Sequence, residues 1–155
     1  GEVEGVTYNY ISKNSFEEMI SSDTMLEWAV YSGNYYGTPR KDVEKMLNEG
    51  KNVILEIEVQ GAFKVKEIFP ETVMIFVVPP SMKELKKRLT ERGRESESQI
   101  KVRMETARRE LELAPRYDYV IINDTLENCV EEMRDVIRQT EEKRTLIKDL
   151  LNEKY

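Results

Sequence analysis

The 155-residue sequence contains no histidine and only one cysteine, Cys129. The absence of histidine excludes imidazole general bases, Ser-His-Asp triads and histidine-ligated metal sites. A single cysteine excludes a disulfide within the chain and is typical of reducing compartments. We therefore expect a cytoplasmic protein whose chemistry depends on carboxylates, hydroxyls and cationic side chains.

Long apolar runs are also absent, so we expect no membrane partner. The formal net charge of −6 argues against nucleic-acid binding through an overall positive field. However, the segment from Lys83 to Arg109 carries ten basic and five acidic side chains. Two explanations of this basic segment stay open: a local polyanion site, or a solvated helix face with i,i+4 ion pairs. The sequence leaves the oligomeric state open.

Hydrophobic patterns predict one α/β domain. The predicted strands cover residues 6–11, 25–31, 53–58, 73–78 and 119–122. The predicted helices cover residues 15–21, 39–49 after a cap at Thr38, 61–69, 82–92 after a cap at Ser81, and 98–113, and a last helix starts near residue 126. From Gly50 onward the order β-α-β-α-α-β-α indicates a parallel sheet, whereas the part before Lys41 resembles a small separate lobe.

The segment from Ser32 to Pro39 is the most informative one, with two adjacent tyrosines between two glycines. Glycines allow sharp turns and close approach to a ligand, and the Tyr and Thr hydroxyls can donate to phosphate or to a base. One interpretation is a ligand-binding loop over residues 33–37, followed by a helix that Thr38 caps. The other is an ordinary hairpin turn with the tyrosines packed on a sheet.

Acidic side chains end the predicted strand of residues 53–58. Glu56 and Glu58 share one face of it, because they are two residues apart. The carboxyl ends of parallel strands line the ligand crevice in open α/β sheets. We therefore expect both carboxylates at a ligand site.

Taken in order, the motifs of residues 1 to about 139 resemble the guanylate kinase family. The motifs that carry this resemblance are Gly1-Glu2-Val3-Glu4-Gly5 with Tyr8, Leu26-Glu27-Trp28-Ala29, Gly33-Asn34-Tyr35-Tyr36-Gly37-Thr38, Leu55-Glu56-Ile57-Glu58-Val59-Gln60-Gly61, Pro79-Pro80-Ser81, Arg92-Gly93-Arg94-Glu95-Ser96-Glu97 and Val120-Ile121-Ile122-Asn123-Asp124. The resemblance implies a P-loop kinase core with a parallel sheet flanked by helices, a small GMP-binding lobe and a helical lid. The lobe would be residues 1–41, the core 42–82 and 114–155, and the lid 83–113.

The activity that the resemblance implies is transfer of a phosphoryl group from ATP to GMP, giving ADP and GDP, with Mg²⁺ bound to ATP. GMP and ATP would then be the partners of the protein. The alternative is a guanylate-kinase-like module without catalysis that binds protein partners. The lid arginines favour the enzyme, because a binding module has no need of them.

The GMP-binding positions of the family match several residues here. By this resemblance Tyr8 and Tyr36 donate hydrogen bonds to the GMP phosphate. Glu27 accepts from the N1–H and the 2-amino group of guanine, a pattern that adenine does not offer. Thr38 contacts guanine, and Glu58 lies near the nucleoside. The residues alone leave other roles open: aromatic packing for the tyrosines, a helix cap for Thr38 and an exposed strand position for Glu27.

Other positions match the family's residues around ATP and the transferred phosphate. The resemblance assigns Arg88, Arg92 and Arg103 to the lid as catalytic residues that neutralise charge in the transition state. Glu56 matches an acidic position near Mg²⁺, either directly or through water. Asn123 falls in a loop near the adenine of ATP.

The family's phosphate-binding loop, G-x-x-x-x-G-K-[ST], does not occur in the sequence. The chain opens on Gly1 in a stretch that resembles a connecting loop. We therefore expect that an upstream segment with this loop, the first strand and the first helix is missing. We expect the 155 residues alone to be inactive, because the loop supplies the backbone N–H cradle, a lysine and a Mg²⁺-binding hydroxyl.

Overall fold

A computed structural model describes residue 5 and residues 8–31, 33–93 and 95–152, excepting the side chain of residue 31. The predicted α/β class is confirmed, and the chain divides into two compact units, residues 1–72 and 73–155. The first unit contains α1 (Lys13–Ser21), β1 (Met25–Tyr31), β2 (Asn34–Pro39), α2 (Arg40–Asn48) and α3 (Val59–Ile68). The second contains β3 (Ile75–Val78), α4 (Met82–Glu91), α5 (Glu97–Leu111), a 3₁₀ turn (Ala114–Arg116), β4 (Tyr119–Ile122) and α6 (Leu126–Asn152). The division into lobe, core and lid remains a prediction.

The first unit is built around an antiparallel hairpin of β1 and β2. Helices α2 and α3 pack against it, and Leu26, Val43 and Val65 form the buried core between them. Side chains alternate between the faces of a strand, and directly opposed residues share a face. The register pairs Glu27 with Thr38 and Ala29 with Tyr36. One face of the hairpin therefore carries most of the residues predicted to bind GMP.

The predicted loop of residues 33–37 is wrong, because β2 begins at Asn34. The alternative of a hairpin with packed tyrosines describes this segment better. Gly33 has a φ of +84°, a conformation that favours glycine, and it stands at the turn. Pairing with β1 extends the strand through Tyr35 and Tyr36, and local turn signals do not reveal such a non-local partner.

The predicted helix cap at Thr38 is also wrong. Helix α2 begins at Arg40 after Pro39, and no side chain caps it. The Thr38 hydroxyl donates to the Glu27 carboxylate instead. Its position in a strand opposite Glu27 directs it across the hairpin.

Residues 53–58 were predicted to form a buried strand, and this is wrong for the described structure, in which they form no strand. The segment is extended with Val53, Leu55 and Ile57 against the core of the first unit. Ile54 is 69% exposed, and Glu56 and Glu58 are exposed on the same side. A strand needs a hydrogen-bonded neighbour, and none of the described strands pairs with this segment.

The predicted strand of residues 6–11 is not found in its described part. Residues 6 and 7 lie outside the described residues, Tyr8 forms a single bridge, and residues 9–11 form no strand. Helix α1 begins soon afterwards, at Lys13. The Ser12 hydroxyl caps it by accepting a hydrogen bond of 3.1 Å from the backbone N–H of Ser15.

The second unit is built on the parallel pair of β3 and β4, which confirms the predicted parallel arrangement. Helix α6 covers one face of the pair through Cys129, Met133 and Val136, which pack around Ile121. Ser81 caps α4 as predicted, and Ser96 with Gln99 forms a capping box at the start of α5. Both caps fix where the helices of the basic segment begin.

Candidate functional site

The Glu27 carboxylate is the most unusual group of the first unit. Glu27 is 5% exposed, the one buried charged residue among those described. The Thr38 hydroxyl donates a hydrogen bond of 2.7 Å to its Oε1. Within the described residues no lysine or arginine pairs with this carboxylate, and Oε2 accepts no hydrogen bond. Burying a carboxylate without a counter-ion is unfavourable. Oε2 is therefore an acceptor to which a bound ligand could donate a hydrogen bond.

The first turn of α3 lies beside this carboxylate. Its Oε2 lies against Gly61, in the first turns of α3. The N-terminal turn of a helix presents unpaired N–H groups and a partial positive charge, which stabilise a nearby carboxylate. The carboxylate therefore lies beside the first turn of α3, although no N–H of that helix donates to it.

The two adjacent tyrosines of β2 have different environments. Tyr35 stacks on Phe16 with 5.1 Å between ring centroids, meets Trp28 edge-on at 6.0 Å, and donates to Glu17. These contacts join α1 to the hairpin. Tyr36 lies on the opposite face of β2, the face of Glu27 and Thr38.

Tyr36 meets Tyr8 rather than the packed aromatic residues. The two ring centroids are 5.6 Å apart in an edge-to-face arrangement, and Tyr8 is 44% exposed. The hairpin face thus presents the carboxylate and hydroxyl at one end of β2 and two phenols further along it. It brings together Tyr8, Glu27, Tyr36 and Thr38, whose roles in GMP binding stay a prediction.

The two acidic residues of the extended segment lie apart from any preformed metal site. Glu56 and Glu58 are exposed, and Glu58 is the residue immediately before α3. Among the described residues no group of three or more His, Cys, Asp or Glu side chains could hold a metal ion. The first unit can therefore offer one or two carboxylates to a cation but no complete coordination shell.

In the second unit, Arg88 is bound to the loop that follows β4. Its Nε donates to Glu84 at 3.0 Å, and its two terminal nitrogens donate to the backbone carbonyls of Asn123 (2.9 Å) and Asp124 (3.2 Å). A guanidinium has five N–H donors, so two remain for other acceptors. Two predicted site residues, Arg88 and Asn123, are thus in direct contact, although the contact uses the Asn123 backbone.

The other two predicted arginines, Arg92 and Arg103, differ from each other in exposure and in ion pairing. Arg92 is exposed at the end of α4, and it forms no ion pair with any described residue. Arg103 pairs with Glu95 at 3.2 Å, with the two side chains 38% and 12% exposed. The second carboxylate oxygen of Glu95 is buried and has no hydrogen-bond partner in the described part of the chain.

The loop after β4 also holds a perturbed carboxyl group. Hydrogen bonds from the Thr125 backbone N–H and the Asn128 side chain, helped by the charge of Arg88, lower the pKa of Asp124 below its usual value. The Thr125 hydroxyl accepts from the Asn128 N–H, which caps the start of α6. The carboxylate therefore stays ionised at the helix N-terminus.

Known proteins of one family are similar to this chain in sequence and in fold. The sequence matches the family model described as guanylate kinase over residues 1–140. It is 50% identical to a guanylate kinase of Desulfitobacterium hafniense over 137 residues, which are 88% of this chain and 68% of the relative. It is 48% identical to a guanylate kinase of Halalkalibacterium halodurans over 155 residues, 100% of this chain and 74% of that relative. The crystal structure of guanylate kinase from Anaplasma phagocytophilum matches with a TM-score of 0.74 and 34% identity, over 90% of this chain and 68% of that one.

The chain belongs to the guanylate kinase family. Membership makes it part of an enzyme family of nucleotide-binding phosphotransferases, and the resemblance inferred from the motifs is confirmed. The P-loop kinase fold expected from the sequence agrees with the solved relative. In the described helices we find no segment that is long and apolar enough to cross a membrane.

Sequence reasoning for this guanylate kinase family member missed two residues of the site. Gly61 belongs to a family motif and has no predicted role of its own, yet it lies against the Glu27 carboxylate. It is the first residue of the helix predicted over residues 61–69, where a glycine is tolerated, so no sequence signal marked it. Glu95, the partner of Arg103, gave no signal either, because acidic residues are common on exposed helix faces.

Proposed function

We propose that the activity associated with this chain is the transfer of a phosphoryl group from ATP to GMP, and that the first unit binds the GMP. The observation that carries the proposal is the buried Glu27 carboxylate, which accepts a hydrogen bond from Thr38 and whose Oε2 accepts none from the described residues. Guanine offers two adjacent donors, N1–H and the 2-amino group. Adenine offers no such pair, so a fixed carboxylate at this place favours GMP over AMP.

The phosphate of GMP is assigned to the two phenols. Tyr36 lies two residues before Thr38 on the same face of β2, and Tyr8 packs edge-on against it. With guanine at Glu27 and Thr38, the phosphate of the same nucleotide would lie further along β2, toward Tyr36. Hydrogen bonds from phenols to a phosphate are charge-assisted and would orient it for reaction.

In the proposed reaction, an oxygen of the GMP phosphate attacks the γ-phosphorus of ATP, and the bond to the bridging oxygen breaks to release ADP. Positioning and charge neutralisation dominate such a transfer, so a chain without histidine meets its demands. We assign this role to Arg92, which is exposed, and to Arg103, which is half-buried beside Glu95. Arg88 has two N–H donors left beyond those that bind the loop after β4.

Mg²⁺ is the metal that such a reaction implies, and the exposed acids of the first unit fit it. Mg²⁺ keeps several waters and takes one or two carboxylates together with phosphate oxygens. Glu56, with Glu58 beside it, offers that number of carboxylates without a complete protein cage. When bound, the ion would neutralise phosphate charge.

We also assign the loop that contains Asn123 to the adenine of ATP. A cytoplasmic location stays a prediction from the cysteine content.

The experiment compares binding with turnover in the 155-residue polypeptide. Calorimetric titration should give a dissociation constant for GMP at least about tenfold lower than for AMP. Equal constants for the two nucleotides would contradict the assignment of Glu27. A coupled assay should detect no GMP-dependent ADP formation, because the sequence contains no G-x-x-x-x-G-K-[ST] motif. Turnover by this polypeptide would show that the motif is dispensable.

A further inference from the structure

Gly61 occupies an unusual place for a glycine. It is buried, and it lies inside α3, where glycine is less favourable than alanine. Its φ lies outside the left-handed region, so backbone conformation does not require glycine here. Some other constraint must explain the absence of a Cβ.

That constraint is the Glu27 carboxylate. A Cβ added to Gly61 would lie 2.8 Å from Oε2 of Glu27 and 3.4 Å from its Cβ and Cδ. The distances to carbon are ordinary contacts, whereas the distance to oxygen is shorter than real Cβ atoms tolerate. The conflict therefore falls on the oxygen that accepts no hydrogen bond from the described residues.

The easiest relief of such a clash moves the end of the Glu27 side chain. The carboxylate rotates about its own bonds, whereas moving α3 would disturb its packing on β1 and the core around Leu26 and Val65. Rotation would also strain the hydrogen bond of 2.7 Å from Thr38. A methyl group at position 61 should therefore displace the acceptor and leave the fold in place.

We infer that Gly61 is a specificity-determining positioning residue, which holds open the space where the Glu27 carboxylate meets the base. This inference rests on the proposed function, because it concerns the same guanine-binding carboxylate. Gly61 acts through Glu27 and touches no reacting atom. It sets how well the site distinguishes guanine from a base that lacks the 2-amino group.

The test is a double-mutant cycle of Gly61→Ala and Glu27→Ala, with calorimetric titration of GMP, IMP and AMP. IMP keeps the N1–H of guanine but lacks the 2-amino group. Gly61→Ala should weaken GMP binding about tenfold or more and lower the ratio of GMP to IMP affinity at least about threefold. In the Glu27→Ala background the same change should alter GMP affinity less than about threefold, because the displaced group is gone.

Thermal unfolding without nucleotide gives a second, independent arm. In the Glu27→Ala background, Gly61→Ala should raise Tm, because alanine favours the helix and the oxygen no longer interferes. With Glu27 present, the gain should be absent or reversed. Gln60→Ala, an exposed neighbour in α3, is the control and should leave GMP affinity unchanged within about twofold.

Each failure has its own meaning. If Gly61→Ala leaves the GMP to IMP ratio unchanged while Glu27→Ala abolishes the preference for GMP, the inference is wrong and the proposed function stands. If Glu27→Ala changes nothing, the assignment of guanine to Glu27 fails first. If Gly61→Ala is too unstable to titrate, the double variant decides: a Tm below that of Glu27→Ala would overturn the inference.

Discussion

Glu27 in the first unit is 5% exposed and fixed by Thr38, whereas Arg103 in the second unit has a side chain 38% exposed and paired with Glu95. One charge is buried with no ion pair among the described residues, and the other is near the surface with an exchangeable partner. Arg92 goes further and is exposed with no ion pair to a described residue. The first unit thus buries its charged group, whereas the second unit keeps its charged groups at or near the surface.

The difference teaches how a nucleotide site can divide its tasks. Distinguishing one base from another needs a polar group that cannot move away, because an unpaired buried group penalises the wrong base. Neutralising phosphates needs cations that reach changing positions, and exposed arginines on helix surfaces can do so. We expect substitutions to affect selectivity in the first unit and stability or turnover in the second.

Glu27→Gln should give the largest effect, and it tests whether the buried carboxylate of the first unit selects guanine. The amide can accept only through one oxygen and turns a donor toward either Thr38 or the base. We expect GMP binding to weaken by about 2–4 kcal/mol, roughly 30- to 1,000-fold, with AMP binding little changed. Calorimetric titration measures this, and Glu67→Gln on the exposed face of α3 is the control. A loss below about threefold would place guanine elsewhere.

Arg88→Ala should lower the stability of the second unit more than Arg92→Ala does. Arg88 donates to Glu84 and to two backbone carbonyls of the loop after β4, so its loss leaves those acceptors to water. We expect a decrease in unfolding free energy of about 1–3 kcal/mol for Arg88→Ala, against less than about 0.5 kcal/mol for the exposed Arg92. Urea unfolding compares the two. Equal effects would mean that the Arg88 contacts contribute nothing to stability.

Tyr36→Phe should have a smaller effect and sharpen the assignment of the phosphate. One hydroxyl donor is lost, and the ring contact with Tyr8 is kept. We expect GMP affinity to fall by about 1–2 kcal/mol while guanosine affinity stays unchanged. Tyr10→Phe, on an exposed neighbouring tyrosine, is the comparison. If guanosine and GMP lose affinity equally, Tyr36 does not contact the phosphate.

Asp124→Asn should produce the smallest effect, visible in the dependence of stability on pH. The folded state lowers the pKa of Asp124 below its usual 3.8, so the carboxylate stabilises the fold above that value. This contribution is lost as the pH falls through the lower, folded-state pKa. The variant should therefore have a lower Tm at neutral pH and a shallower fall of Tm on acidification below about pH 4.

Asp149→Asn is the control, near the other end of α6. A negative charge there is unfavourable to the helix dipole, so Tm at neutral pH should not fall. Parallel Tm curves for the wild type and Asp124→Asn across the acid range would contradict the role of Asp124.

The sequence predicted well those features that depend on local chemistry. The bounds of β4 and the Ser81 cap of α4 agree with the structure, because an apolar run before a turn and a serine before a charged helix are local signals. The family resemblance assigned Glu27, Tyr36 and Thr38 to one ligand, and the structure places all three on one face of the hairpin. The match to curated relatives confirms the family but leaves each of these roles a prediction.

Features that depend on distant partners were not predictable. Residues 34–39 form a strand because β1 lies beside them, and residues 53–58 form none because no described strand pairs with them. Arg88 binds carbonyls 35 and 36 residues away along the chain. No periodicity or propensity carries information about such contacts, which arise only when the chain packs.

Trp28 is the single tryptophan of the chain, and it lies on β1 next to Glu27, within 6.0 Å of Tyr35. Its fluorescence can therefore report on the first unit only, whereas much of the circular dichroism comes from the 27 residues of α6 in the second. Melting curves from the two signals would coincide if the units unfold together and separate if they do not. The position of one indole ring thus makes the cooperativity between the two units measurable without any label.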